Sequence, residues 1–201
     1  MGLIQVAMML LFIVGGLAAF FGNRKKPFVA PLSTVEIEAE DDVAVLLKKL
    51  TDAHWQVRQL AVQKLGEIGD SAAIPGLLTA LDDADNDVRE AVVEALVSFE
   101  AVTGLIDALQ HRSQNARRAA VMALGQLQDE AAIPGLIEML QDVSAWVRIP
   151  AAEALGEMQA DDATSALIDA LQDSDIRVRL AAINALRSIG TNEAPDTLDG
   201  L

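Results

Sequence analysis

An all-α solenoid of about five helical hairpins, preceded by one transmembrane helix, is the architecture that this 201-residue sequence predicts. The leucines that close one apolar run, Leu50, Leu81, Leu109, Leu140 and Leu171, recur at steps of 31, 28, 31 and 31 residues. Arg58, Arg89, Arg117, Arg148 and Arg179 keep the same rhythm, and so do Leu65, Leu96, Leu124, Leu155 and Leu186. A shared period near 31 residues marks stacked supersecondary units that bury their apolar faces on one another. Composition agrees, because 52% hydrophobic but only 3% aromatic residues means a core of Ala, Leu, Val and Ile. Close-packed helices suit such a core.

Residues 3–21 (LIQVAMMLLFIVGGLAAFF) hold one polar side chain, Gln5, and no charge. As a helix they span about 28 Å, near the hydrocarbon thickness of a bilayer. Arg24, Lys25 and Lys26 follow as a membrane collar. By the positive-inside rule this predicts a single pass, with the N-terminus outside and the solenoid on the cytoplasmic side. The expected divisions are an anchor helix over 1–22, a linker over 23–40, the solenoid over 41–190 and a tail over 191–201. Pro27 and Pro31 discourage helix in the linker, which then turns acidic from Glu36 to Asp42.

Each copy that follows carries two helical patterns. In the second copy Ile74-Pro75-Gly76-Leu77-Leu78 starts a short helix, with Pro75 acceptable in its first turn. The run from Asp82 to Asp87 supplies a turn and an N-cap. Val88, Ala91, Val92 and Ala95 then return at helical spacing as a buried stripe. The fourth copy repeats the pattern from Ile133 to Leu155, with Pro150 expected to bend its second helix. Gly66, Gly125 and Gly156 follow the repeated leucine directly and mark close-packing points, while Ala61, Ala91, Ala119, Ala151 and Ala181 let helices approach.

The pattern Asp-x5-Val-Arg-x2-Ala-x3-Leu-Gly, read in Asp52, Val57, Arg58, Ala61, Leu65 and Gly66, resembles HEAT repeats. More narrowly it is similar to the short bacterial and archaeal subclass known as PBS-lyase-type HEAT repeats, over about residues 43 to 190. The resemblance implies a helical solenoid. It also implies that Asp52, Asp83, Asp142 and Asp173, each six residues before Arg58, Arg89, Arg148 and Arg179, form an architectural ladder between repeats.

The third copy departs from the pattern: it is three residues shorter and has His111 at the ladder aspartate position. His111, Arg112, Arg117 and Arg118 form a basic island on an acidic chain and are candidates for partner binding. Trp55 and Trp146, just ahead of ladder arginines, are candidate contact anchors.

Several chemistries are excluded at this stage. No cysteine means no disulfide, thiolate zinc site or Cys nucleophile, and two histidines do not make a His-rich metal centre. A net charge of −15 argues against nucleic acid. Phosphate loops, nucleophile elbows and His-Glu helix motifs are absent from the sequence, so no catalytic residue, cofactor or metal is expected. The expected function is therefore a membrane-anchored interaction scaffold, an accessory or assembly subunit that binds protein partners through the solenoid surface. A partner with a basic face would be steered by the acidic field. One alternative, implied by the resemblance, is a phycobilin lyase or chromophore chaperone, with Arg112, Arg117 or Arg118 meeting tetrapyrrole propionates. Another is a regulator of a membrane sensor.

Overall fold

In the computed structural model, Ile37 and residues 40–190 are described, all within the unit Pro31–Leu201. Among these residues there are ten α-helices and no strand. They pair as five hairpins, each a short first helix and a longer second one: α1 (Val43–Lys49) with α2 (Trp55–Ile68), α3 (Ile74–Ala80) with α4 (Asn86–Ser98), α5 (Val102–Ala108) with α6 (Gln114–Leu127), α7 (Ile133–Met139) with α8 (Ala145–Glu157), and α9 (Thr164–Ala170) with α10 (Ile176–Ile189). The second helices pack in sequence, α2 on α4, α4 on α6, α6 on α8 and α8 on α10.

Local chemistry sets the helix ends. Asp42, Asp85, Ser113 and Asp175 are N-caps whose side chains accept from Ala44, Asp87, Asn115 and Arg177 amides, satisfying donors that a helix start leaves open. Pro75 and Pro134 sit in the first turns of α3 and α7, where a missing N–H costs nothing. Gly69 (φ 71°) and Gly190 (φ 84°) close α2 and α10 in the left-handed conformation. Gln128 closes α6 at φ 52° without that freedom.

The three-residue shortfall of the third copy has a structural explanation. A 3₁₀ turn precedes the first helix of copies two, four and five: Ser71–Ala73, Glu130–Ala132 and Asp161–Ala163. Before α5 there is none; Glu100 turns the chain at φ 51° and Val102 starts the helix. Pro150 lies inside α8, which continues through it. Having no N–H, Pro150 gives nothing to the carbonyl of Trp146 four residues earlier.

The core is aliphatic. Leu65, Leu96, Leu124, Leu155 and Leu186 are fully enclosed, as are Leu77, Leu105, Leu136 and Leu167 of the first helices. Each such leucine contributes about 1.5–3 kcal/mol by burial. A Cβ added to Gly66, Gly125 or Gly156 would meet Ala95, Ala154 or Ala185, so α2–α4, α6–α8 and α8–α10 approach through glycine against alanine.

The expected membrane placement is overturned. Among the described residues no helix is long and apolar enough to cross a membrane. The longest have 14 residues, about 21 Å, and each carries a polar face. The single-pass reading, with N-terminus outside and solenoid cytoplasmic, is therefore not supported. The segment 3–21, the Arg24-Lys25-Lys26 collar and the 191–201 tail lie outside the described residues.

Candidate functional site

Three rungs of an arginine–aspartate ladder tie successive copies together. The Arg58 side chain donates from Nε to Asp83 Oδ2 (2.6 Å) and from Nη2 to Asp83 Oδ1 (2.7 Å), while its Nη1 donates to the carbonyl of Asp52 (2.7 Å). Arg117 holds Asp142, and Arg148 holds Asp173, by the same fork over 2.6–2.9 Å. Each aspartate also accepts a backbone amide two residues on: Asp83 from Asp85, Asp142 from Ser144, Asp173 from Asp175. Burial works against the charged forms of Asp142 and Asp173. The arginine forks and these amides outweigh it and hold both carboxyls below their ordinary value. Arg58, Arg117 and Arg148 are pushed up by hydrogen bonding to the same carboxylates.

The ladder is interrupted once and has an open end. His111 takes the place of an aspartate, and its Nδ1 accepts from the Ser113 amide (3.1 Å) as the aspartates do. The turn is thus preserved, but an imidazole offers no carboxylate to Arg89. Arg89 keeps its bond to the carbonyl of Asp83 (2.6 Å) and turns Nη2 to Asn86 Oδ1 (3.0 Å). The same junction, α4 against α6, has Val97 where Gly66, Gly125 and Gly156 stand in copies one, three and four. At the end of the ladder Arg179 donates to the Asp173 carbonyl (2.8 Å), and its Nε is buried with no partner. Asp52, at the other end, accepts from the His54 amide, which is the main cause of its lowered pKa.

The basic island divides. Arg117 is committed to the rung with Asp142, and His111 to its turn. Arg112 is exposed on that turn, with its carbonyl accepting from Arg117. Arg118 leaves the group and faces another helix, with its guanidinium 5.9 Å from the ring centre of Trp146 on α8. Trp55 is half-buried and packs against the apolar core, apart from Trp146.

A residue not anticipated completes the cluster. Arg177 on α10 lies over the same indole at 4.8 Å, so two guanidinium groups meet the Trp146 ring. Trp146 is still 55% exposed. Met122, Ile149, Pro150 and Leu180 join Trp146 in lining a groove of about 440 Å³ across α6, α8 and α10. Glu153 also lines it, and burial, helped by Glu157, raises its pKa. A second cavity of about 190 Å³ lies between α4 and α6 and shares Arg118 and Met122 with the first. Register carried the missing signal: Trp146 and Arg177 both sit two residues before their ladder arginines, and Arg118, Ile149 and Leu180 one residue after. Offsets from the repeat therefore stack these side chains on one face. Among the described residues no group of three or more acidic, His or Cys side chains is gathered to hold a metal.

Comparison with known proteins places this architecture. The complex of CpcE and CpcF of phycocyanin lyase from Nostoc sp. PCC7120 is similar at 25% identity and a TM-score of 0.56, over 84% of this chain and 70% of that one. A designed armadillo repeat protein in complex with the peptide (KR)4 shares the fold at 19% identity and a TM-score of 0.51, over 78% and 85%. No curated protein matches in sequence. The family model of HEAT repeats matches residues 43–103, 99–151 and 133–201, and with most of its length so covered the chain belongs to the HEAT-repeat family.

Proposed function

We propose that this protein is a non-enzymatic interaction scaffold, an accessory or assembly subunit whose protein partner sits on the second-helix face of copies three to five. The observation that carries this reading is the exposed Trp146, with Arg118 and Arg177 at its ring, in the lining of a largely apolar groove. Tryptophan and arginine dominate binding energy at protein interfaces, and here they are preset on rigid helices. The one perturbed carboxyl in the groove, Glu153, has no nucleophile beside it in the lining.

The test is native purification of the chain with mass-spectrometric stoichiometry, repeated with Trp146→Ala. A near one-to-one partner, lost in the variant, is expected. A lone protein would sink the reading.

A second reading, a tetrapyrrole lyase subunit of the PBS-lyase type, is favoured by the likeness to the phycocyanin lyase complex. In that reading Arg118 and Arg177 meet propionates and Trp146 stacks on the chromophore. A bilin absorbance on the purified peak would move it to the front.

A further inference from the structure

We infer that the groove across α6, α8 and α10 takes an extended acidic–apolar segment of a partner protein, with a partner carboxylate on Arg118 and a partner apolar side chain on Trp146. The inference rests on the scaffold reading and adds the chemistry of the partner.

Apolar exposure is concentrated at this place. Among the described residues the exposed large hydrophobics are Met122, Val143, Trp146, Ile176 and Leu180, and three of these line the groove. Ile176 neighbours Arg177 in the chain. Such a concentration marks an interaction site rather than scattered surface residues.

Charge selects the occupant. The charged residues lining the groove are Arg118, Arg177 and Glu153, two cations against one carboxylate in a chain of net charge −15. Arg177 already holds Asp175 through Nη2 to Oδ2 at 2.6 Å. Arg118 has no carboxylate among the described residues and meets the Trp146 ring alone, which leaves its donors for a partner. The positive excess ends at α6. The neighbouring α4–α6 cavity carries Glu90 and Glu94 beside Arg89 and Arg118, which balance, so nothing there draws an acidic segment further.

Geometry sets its length. Three helices at 8–10 Å spacing present a face of roughly 20 Å, which an extended chain at about 3.3 Å per residue crosses in about six residues.

Trp55→Phe leaves Trp146 as the only indole of the chain, and its emission reports occupancy of the groove. The probes are two capped octapeptides, one alternating glutamate with leucine and the other lysine with leucine. The glutamate peptide is expected to saturate with a blue shift and to bind at least about tenfold tighter than the lysine peptide. Arg118→Gln is expected to weaken it roughly tenfold with helicity and Tm unchanged, and Arg112→Gln, the same charge change on the exposed turn, to leave it unaltered. Equal or tighter binding of the lysine peptide, indifference to Arg118→Gln, or no saturation by either peptide would overturn the inference. So would biliverdin filling the groove where the glutamate peptide does not. A stoichiometric native partner that survives Arg118→Gln would remove this inference and leave the scaffold reading standing; absence of any such partner would remove the scaffold reading itself.

Discussion

Asp142 accepts two bonds from Arg117 and one from the Ser144 amide, whereas Asp52, at the same repeat position, accepts from the backbone and ring of His54 with no arginine over it among the described residues. Asp142→Asn replaces one acceptor by an amide that opposes the guanidinium, and is expected to cost about 2 kcal/mol at pH 7. Asp52→Asn is expected to cost under about 1 kcal/mol, because an exposed turn contact is screened. The pH dependence has a definite sign. Asp142 is held below its ordinary 3.8, so its contribution is complete above that value and is lost as pH falls through the lower folded pKa. Urea unfolding from pH 6 down to pH 2.5 should therefore show a shallower acid loss in Asp142→Asn than in the unaltered protein. Equal slopes would mean that the rung does not carry the acid sensitivity.

Between elements, the contacts of glycine with alanine differ in tightness. A Cβ on Gly66 would lie 3.4 Å from that of Ala95, an ordinary contact, but a Cβ on Gly156 would lie 2.6 Å from the Ala185 backbone. Gly66→Ala should thus be neutral or gain up to about 1 kcal/mol from helix propensity. Gly156→Ala should lose about 1–3 kcal/mol, because α8 and α10 must separate and their packing follows. Thermal unfolding of the two variants decides this, and a stabilised Gly156→Ala protein would refute the close approach. The same reasoning explains why copy two differs. With Val97 instead of glycine, α4 and α6 lack the glycine–alanine approach of their neighbours, and the 190 Å³ cavity opens at that junction.

Over the whole solenoid, stability is a sum of repeat and interface terms, so one poor interface divides the stack. The junction of α4 with α6 lacks both the carboxylate for Arg89 and the small-residue contact. It is the place where the two sides should separate first. Native-state hydrogen exchange should show α1–α4 and α5–α10 opening with different free energies. His111→Asp, which returns a carboxylate to Arg89, should raise Tm by a few degrees and narrow that difference. Uniform protection on both sides, or a lowered Tm in the variant, would remove the junction's special status.

Repeat architecture was legible because three residue series share one period, and only helices stacked at constant register satisfy all of them. The turn aspartates, the glycine points and the anomaly at His111 were legible for the same reason, as positions in a repeat. The membrane placement was not carried through, since it rested on residues 3–21 rather than on the repeats, and no described helix has the length or apolarity to span a bilayer. Which cations are committed could not be read from the chain, because Arg117 and Arg118 are adjacent in sequence but point to different neighbours. One helical step of about 100° sends Arg117 to the Asp142 rung and Arg118 to the Trp146 face. Arg177 joins that face from 31 residues beyond Trp146, a proximity created only when α10 packs on α8. The sequence alone determined that five hairpins stack, since periodicity is a one-dimensional property. The tertiary structure alone decided which side chains share a surface, since that depends on helix rotation and on the neighbour each helix meets.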